Sequence, residues 1–441
     1  MALHLLHLLA FSLLFAVATP IRDITDVCSS QIKDFQYLNS TGLHLELHHP
    51  RSPCSPAPVP ADLPFTAVLT HDDARISSLA ARLAKTPSAR ATSLDADADA
   101  GLAGSLASVP LSPGASVGVG NYVTRMGLGT PATQYVMVVD TGSSLTWLQC
   151  SPCLVSCHRQ SGPVFNPKSS STYASVGCSA QQCSDLPSAT LNPSGLLLLQ
   201  RLHLPGQLRR QLLLRRLPQQ GHRLVRLDVA AKLLLRLWPG QPRVVSPIRP
   251  GSSASSRNKL SLLYQLAPSL GYSFTYCLPS SSSSGYLSLG SYNPGQYSLH
   301  ARWCPARSTT RSTSSSSCRR SSTPARVITR LPTSVYSALS KAVAAAMKGT
   351  SRASAYSILD TCFKGQASRV SAPAVTMSFA GGAALKLSAQ NLLVDVDDST
   401  TCLAFAPARS AAIIGNTQQQ TFSVVYDVKS SRIGFAAGGC S

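Results

Sequence analysis

Val136-Met137-Val138-Val139-Asp140-Thr141-Gly142-Ser143-Ser144, continued by Leu145-Thr146-Trp147, decides how the rest of the chain is read. Four apolar residues in a row, three of them β-branched, predict a buried strand. That strand runs straight into a carboxylate. Gly142, two positions later, permits a tight turn that presents Asp140 at the strand end. The hydroxyls of Thr141, Ser143 and Ser144 can hydrogen-bond an ionised acid and hold its geometry. A bare Asp-Thr-Gly occurs in many surface turns. The apolar approach, the paired serines and the tryptophan seven positions after the acid favour a catalytic loop over a plain β-turn.

Outward from this loop, short β-branched and aromatic runs alternate with Gly, Ser, Asn and Pro from Asn121 onward: Tyr122-Val123-Thr124, Gln134 to Val139, Leu145 to Leu148. The pattern returns at Tyr286 to Leu289 and from Val375 to Ala437, and it predicts an all-β fold with a few short helices. One helix is expected over Thr333–Met347, capped by Thr333, with Tyr336, Leu339, Val343 and Met347 on one face. Residues 19–111 show no sustained strand alternation and too little apolar content for a core. Their Pro-rich turns, an Ala/Leu/Arg-rich helical stretch (Asp72 to Leu83) and a linker-like segment (Ala89 to Pro110) suit a removable propeptide. Leu3 to Val17 is a short apolar run ahead of Ala16-Val17-Ala18, which reads residues 1–18 as a secretory signal peptide. The expected location is secreted, extracellular (apoplast) or vacuolar.

The chain has 441 residues, 44% hydrophobic and 13% charged, a globular composition. Its net charge of +21 would ordinarily suggest nucleic acid or an acidic surface. The charge is concentrated, however: residues 196–256 hold 11 Lys and Arg against one acid, Asp228, and residues 299–326 hold six against none. Their Leu/Arg/Pro texture has no binding motif, so nucleic acid is not an expected partner, and no later segment reaches 18 apolar residues, so neither is a membrane. Thirteen cysteines in a secreted chain imply disulfides, and the odd number leaves at least one outside any intrachain pair. For Cys150-Ser151-Pro152-Cys153 a disulfide ranks above a redox pair or a zinc half-site, since no second pair of ligands has matching spacing. Asn39-Ser40-Thr41 fits the glycosylation tripeptide, which also arises by chance.

The chain resembles pepsin-like aspartic proteases, most closely the plant nepenthesin-like branch. The resemblance rests on the Asp140 loop, on Gly127-Leu128-Gly129-Thr130-Pro131 before it, and on the cluster Cys150, Cys153, Cys157, Cys178, Cys183. It rests also on Ile413-Ile414-Gly415-Asn416, Phe422 to Asp427 and Ile433 to Ala436. It implies a bilobal double β-barrel with a cleft between the lobes: an N-terminal lobe over 112–285, incomplete here, and a C-terminal lobe over 286–441. By the resemblance Asp140 is the first catalytic aspartate, and Thr141, Gly142 and Ser143 support it. Trp147 supports a flap, and Ile414-Gly415 braces the loop of the second lobe. Cys362–Cys402 and Cys277–Cys440 are bridges. A polypeptide substrate, a monomer, and no metal or cofactor are implied.

The resemblance breaks at the second half of the chemistry. Peptide hydrolysis of this type needs two carboxylates sharing one proton, one acting as base toward water and the other as acid toward the scissile carbonyl. The second Asp-Thr/Ser-Gly should stand just before Val327-Ile328-Thr329-Arg330-Leu331-Pro332. Ser321-Ser322-Thr323-Pro324-Ala325-Arg326 stands there, with no acid. Asp360, Asp395, Asp397, Asp398 and Asp427 lack the turn and are not replacements. One permitted codon series for Ser321 to Arg326, TCA TCG ACT CCG GCA CGG, contains ATC GAC TCC GGC ACG in a shifted frame, which reads Ile-Asp-Ser-Gly-Thr. His203 to Gln211 can likewise hide a flap-like Ile-Tyr-Gln-Ala-Ser-Tyr-Gly-Asp-Ser. Residues 195–256 and 299–326 are therefore read as out-of-frame translations, without selected structure. Three functions follow for the chain as written: an aspartic endopeptidase made as a zymogen, a catalytically dead binding protein similar to plant xylanase inhibitors, or a product that does not fold. Weak or absent activity is expected.

Overall fold

The computed structural model describes residues 28, 36–39, 42–60, 62–70, 72–73, 121–141, 146–151, 160–175, 181, 185, 224–228, 232–238, 251–254, 259–302, 321–322, 327–379, 383–408 and 412–440. Residues 1–34 form a unit of their own, and everything below concerns the second unit, Phe35–Ser441. The strands begin with β1 (Gln36–Asn39), β2 (Gly42–His48), β3 (Val123–Leu128), β4 (Thr133–Asp140), β5 (Trp147–Gln149), β6 (Ala174–Ser175), β7 (Leu224–Asp228), β8 (Lys232–Trp238) and β9 (Gly251–Ala254). Helix α1 (Leu262–Leu270) precedes β10 (Ser273–Cys277), β11 (Ser284–Gly290), β12 (Ser298–Arg302), β13 (Ser321–Ser322) and β14 (Thr329–Pro332). Helix α2 (Thr333–Ala346) leads to β15 (Arg352–Ala353), β16 (Cys362–Lys364), β17 (Val375–Ser378) and β18 (Ala384–Leu387). After the single turn α3 (Ala389–Leu392) come β19 (Leu393–Asp397), β20 (Thr400–Leu403), β21 (Phe405–Ala408), β22 (Ile413–Ile414), β23 (Ser423–Asp427) and β24 (Arg432–Ala436).

Among the described residues, the largest sheet runs β12-β24-β23-β10-β11-β2-β3-β4-β9-β5-β8-β7-β6, with β1 beside β2. A second sheet has the order β13-β22-β14-β21, a third β15-β16-β20-β19, and β17 and β18 form a hairpin. The expected all-β architecture is present. Among the described residues the expected barrels are not closed: the large sheet ends at β12 and β6, which do not pair with each other.

Three corrections concern segments the sequence pattern undersold. In β2, Leu43, Leu45 and Leu47 alternate with His44, Glu46 and His48, and the three leucines are buried in the main core. The strand lies between β11 and β3, so the region read as lacking strand alternation supplies a central strand. Residues 65–70 and 72–73 are helical, so the helix expected from Asp72 begins earlier, directly after Pro64, whose fixed φ suits a helix start; its expected course beyond 73 lies outside the described residues. In the first basic stretch, β7 and β8 form an antiparallel hairpin from Leu224↔Arg236 to Asp228↔Lys232, although no structure was expected there. Helix α2 is as expected in its buried face of Tyr336 and Val343, with Leu339 half-buried and Met347 buried as its C-cap. Thr333, however, is its first residue, and Pro332 takes the cap position.

Candidate active site

Asp140 is the last residue of β4, and the six residues Tyr135 to Asp140 are all buried. Apolar side chains fix the strand between β3 and β9, and the carboxyl-bearing residue is itself only 5% exposed. The strand is tied down from one side by Tyr122, whose carbonyl accepts from Val139 N at 2.9 Å. The Tyr122 hydroxyl donates to Pro279 O at 3.0 Å and accepts from Gln420 Nε2 at 2.9 Å. Burial pushes this hydroxyl far up from its usual range, so it stays protonated. Thr141 begins the turn, while Gly142 and Ser143 lie outside the described residues. Trp147 opens β5, half-buried, paired with Ser252 of β9 and Arg236 of β8.

The second sheet repeats the geometry of this region. In the first copy β4 runs parallel to β9, β9 antiparallel to β5, and β5 parallel to β8. In the second, β13 runs parallel to β22, β22 antiparallel to β14, and β14 parallel to β21. Trp147↔Ser252 and Arg330↔Ile413 are corresponding contacts, which makes Thr146 the counterpart of Thr329; both are fully buried. By sequence count, Asp140 stands seven residues before Trp147, and Thr323 stands seven before Arg330. Thr323 itself lies outside the described residues.

The second copy keeps its bracing. Gly415 N donates to Thr329 Oγ1 at 2.8 Å. A Cβ on Gly415 would fall 2.4 Å from Val327 O and 2.6 Å from Ile328 C, so only glycine permits this backbone approach. Gln418 and Gln419, wholly buried, hold the loop from behind. Gln418 Nε2 donates to Asn391 O at 2.8 Å and Ala404 O at 3.2 Å, and its Oε1 accepts from Thr329 Oγ1. Gln419 Nε2 donates to Ile414 O at 3.1 Å and Gly415 O at 3.0 Å, and its Oε1 accepts from Tyr276 OH. Sequence reasoning missed these residues. The available signal was a polar run, Asn416 to Gln420, directly after the apolar Ile413-Ile414, since buried amides must find partners.

Cys277 is bridged to Cys440 and Cys362 to Cys402. Cys150, directly after β5, is buried in the main core, and Cys153, its expected partner, lies outside the described residues. Of the other candidate acids, Asp360, Asp395, Asp397 and Asp427 have structural partners. Asp360 accepts from Tyr336 OH and Thr361 Oγ1, and Asp395 from Ala367 N at 2.7 Å. The backbone N–H of Ser399 holds the Asp397 carboxyl below its usual range. Asp427 accepts from Ser430 N at 2.9 Å and Arg432 at 3.3 Å.

An all-β fold that uses one four-strand motif twice, the first copy ending in a buried Asp-Thr-Gly aspartate, defines a pepsin-like protein. Two family profiles match, one described as xylanase inhibitor N-terminal over residues 122–196 and one as xylanase inhibitor C-terminal over 320–437. An aspartyl protease family protein of Arabidopsis thaliana is 33% identical over 85% of this chain and 82% of its own length. Aspartyl protease AED1 of the same plant is 30% identical over 91% of this chain and 88% of its own. Aspartic proteinase nepenthesin-2 of Nepenthes gracilis is 27% identical over 73% and 78%. Among solved structures, conglutin gamma from lupine seeds (TM-score 0.51, 18% identity, 72% of this chain and 92% of that one) has the same fold. So does soybean basic 7S globulin (0.50, 19%, 72% and 93%). The chain belongs to the pepsin-like aspartic protease family, in its plant nepenthesin-like branch.

Proposed function

We propose that this chain is an aspartic-type endopeptidase by descent, disabled as written because the second copy of its motif carries no acid. Two close carboxylates split their apparent pKa values, so that one stays ionised to take a proton from water while the other donates to the scissile carbonyl oxygen. Asp140 alone has no such division of labour. The observation that carries this reading is the equal seven-residue interval, which puts Thr323 where the second acid belongs. Retention of Asp140-Thr141-Gly142 and of the Gly415 brace supports recent descent from an active enzyme. Secretion, a propeptide spanning 19–111 and a polypeptide substrate complete the proposal, and the two basic stretches are out-of-frame segments within it. The transcript tests this last part: codons across Ser321–Arg326 that cannot encode Ile-Asp-Ser-Gly-Thr in a shifted frame would refute it.

A second reading, a binding protein without catalysis, is favoured by the absence of an acid from 321–326 and by the xylanase-inhibitor description of both matching profiles. Inhibition of a plant-cell-wall xylanase by the purified chain, unchanged in Asp140→Asn, would select this reading. No inhibition, together with no proteolysis, would leave the disabled enzyme.

A further inference from the structure

The helical residues 65–70 and 72–73 pack on the second copy of the motif, and their contacts there are specific. Phe65, Val68 and Leu69 are buried in one cluster with Val327, Ile328 and Val396. Asp72 continues the same helical face, at seven residues from Phe65. Its Oδ1 accepts from Val327 N at 3.3 Å, and its Oδ2 lies 3.9 Å from the Arg330 guanidinium. Arg330 also donates to Asp73 Oδ1. The side chains of Arg330 and Asp72 are 8% and 2% exposed, whereas Asp73 is 45% exposed. Among the described residues, Asp72 and Asp73 are the carboxylates within ion-pair reach of Arg330.

A guanidinium buried to this degree is strongly destabilising without a carboxylate partner, and Arg is suited to binding two acceptors at once. The N–H of Val327 adds a second, uncharged donor to the same acid. Beside these polar groups lies an apolar floor that matches a helix with residues at i, i+3 and i+4. We propose that Arg330, the Val327 amide and this floor form a binding site for an amphipathic peptide ending in two adjacent acids, filled in cis by the described residues 62–70 and 72–73. The site recognises carboxylates at the helix end as well as apolar area, and it lies at the start of β14. It is independent of whether the chain hydrolyses peptides.

The test uses the full chain and reads no activity. Hydrogen exchange of residues 62–73 is compared in the unmodified chain, in Asp73→Asn and in Asp72→Asn/Asp73→Asn. A labelled peptide of residues 59–76 is then titrated onto the doubly substituted chain, alongside the same peptide carrying both Asn changes. Loss of charge-assisted hydrogen bonds should speed exchange about tenfold or more in the double variant and less in Asp73→Asn. It should also weaken the Asn peptide about tenfold or more relative to the Asp peptide, a difference that Arg330→Gln removes while β16–β20 amides stay protected. Exchange that is unchanged by the substitutions, or equal affinity of the two peptides, would overturn the proposal.

Discussion

The two four-strand copies, β4-β9-β5-β8 and β13-β22-β14-β21, share strand directions and the seven-residue interval, yet they are built from different side chains. In the first, a long buried strand ends in Asp140, and its parallel partner β9 reads Gly-Ser-Ser-Ala. In the second, the apolar member is β22, Ile-Ile, and the strand in the place of β4 is Ser-Ser. Each copy thus keeps one apolar strand and pairs it with a small, polar one. Both polar strands fall in the stretches 195–256 and 299–326. The lesson is that backbone pairing tolerates such a partner, because ladder hydrogen bonds do not depend on side-chain identity. Catalytic chemistry has no such tolerance, since it needs a carboxyl group at one position.

Several substitutions would break or sharpen this contrast. The largest effect should come from the two disulfide bridges, one at the large sheet and one within the third sheet. Cys277–Cys440 closes a separation of 163 residues and Cys362–Cys402 one of 40. Chain-entropy arguments give losses of about 5 and about 4 kcal/mol for replacing each pair by alanine. Thermal unfolding of the two double variants should rank them in that order; the reverse order would mean that the large sheet is the less dependent on its staple. Next, Gly415→Ala should cost about 3 kcal/mol or more, because its Cβ meets backbone at 2.4 Å. A near-neutral result would show that the second copy is loosely braced. Gln418→Leu removes two amide donations and an acceptor from a buried network and should cost about 2 kcal/mol in denaturant titrations, with an unchanged m-value.

The smallest effect concerns pH and the β2 segment. Burial, with Arg125 near one and Arg51 near the other, holds His48 and His49 down at about 4. Burial pushes Glu46 up to about 7, with Arg125 opposing. Between these values His48 and Glu46, 3.7 Å apart, meet as neutral partners. The histidine contributions to stability are present above the usual histidine range near 6.5 and are lost as pH falls toward 4. The glutamate contribution is present below its ordinary value near 4.5 and is lost as pH rises through 7. Two histidines outweigh one glutamate below pH 6. Acidification from pH 6.5 to 4 should therefore loosen this segment by on the order of 2 kcal/mol after solvent screening. Amide exchange of β2 should follow that trend, and His48→Gln/His49→Gln should flatten it. Tighter protection at pH 4 would contradict the sign.

Much of this was legible in the sequence because it is local. The apolar approach to Asp140 and the 3.6-residue spacing of Tyr336, Val343 and Met347 each lie within one element. What was missed is long-range or short. The alternation of Leu43, Leu45 and Leu47 covers seven residues in a region of otherwise polar and Pro-rich composition. The ion pairs of Asp72 and Asp73 with Arg330 join positions more than 250 residues apart, which no local pattern reports. Thr333 looked like a cap because threonine is a good one, but Pro332, with its fixed φ, already sets the helix entry.

The most direct measurement is hydrolysis of denatured globin at about pH 3–4, in the range where carboxylates titrate. It would compare the purified chain, its Thr323→Asp/Pro324→Ser/Ala325→Gly variant, and that variant with Asp140→Asn added. No turnover by the chain, with pepstatin-sensitive turnover in the triple variant that Asp140→Asn abolishes, is the expected result. Robust pepstatin-sensitive hydrolysis by the unmodified chain would contradict the claim that one acid is missing.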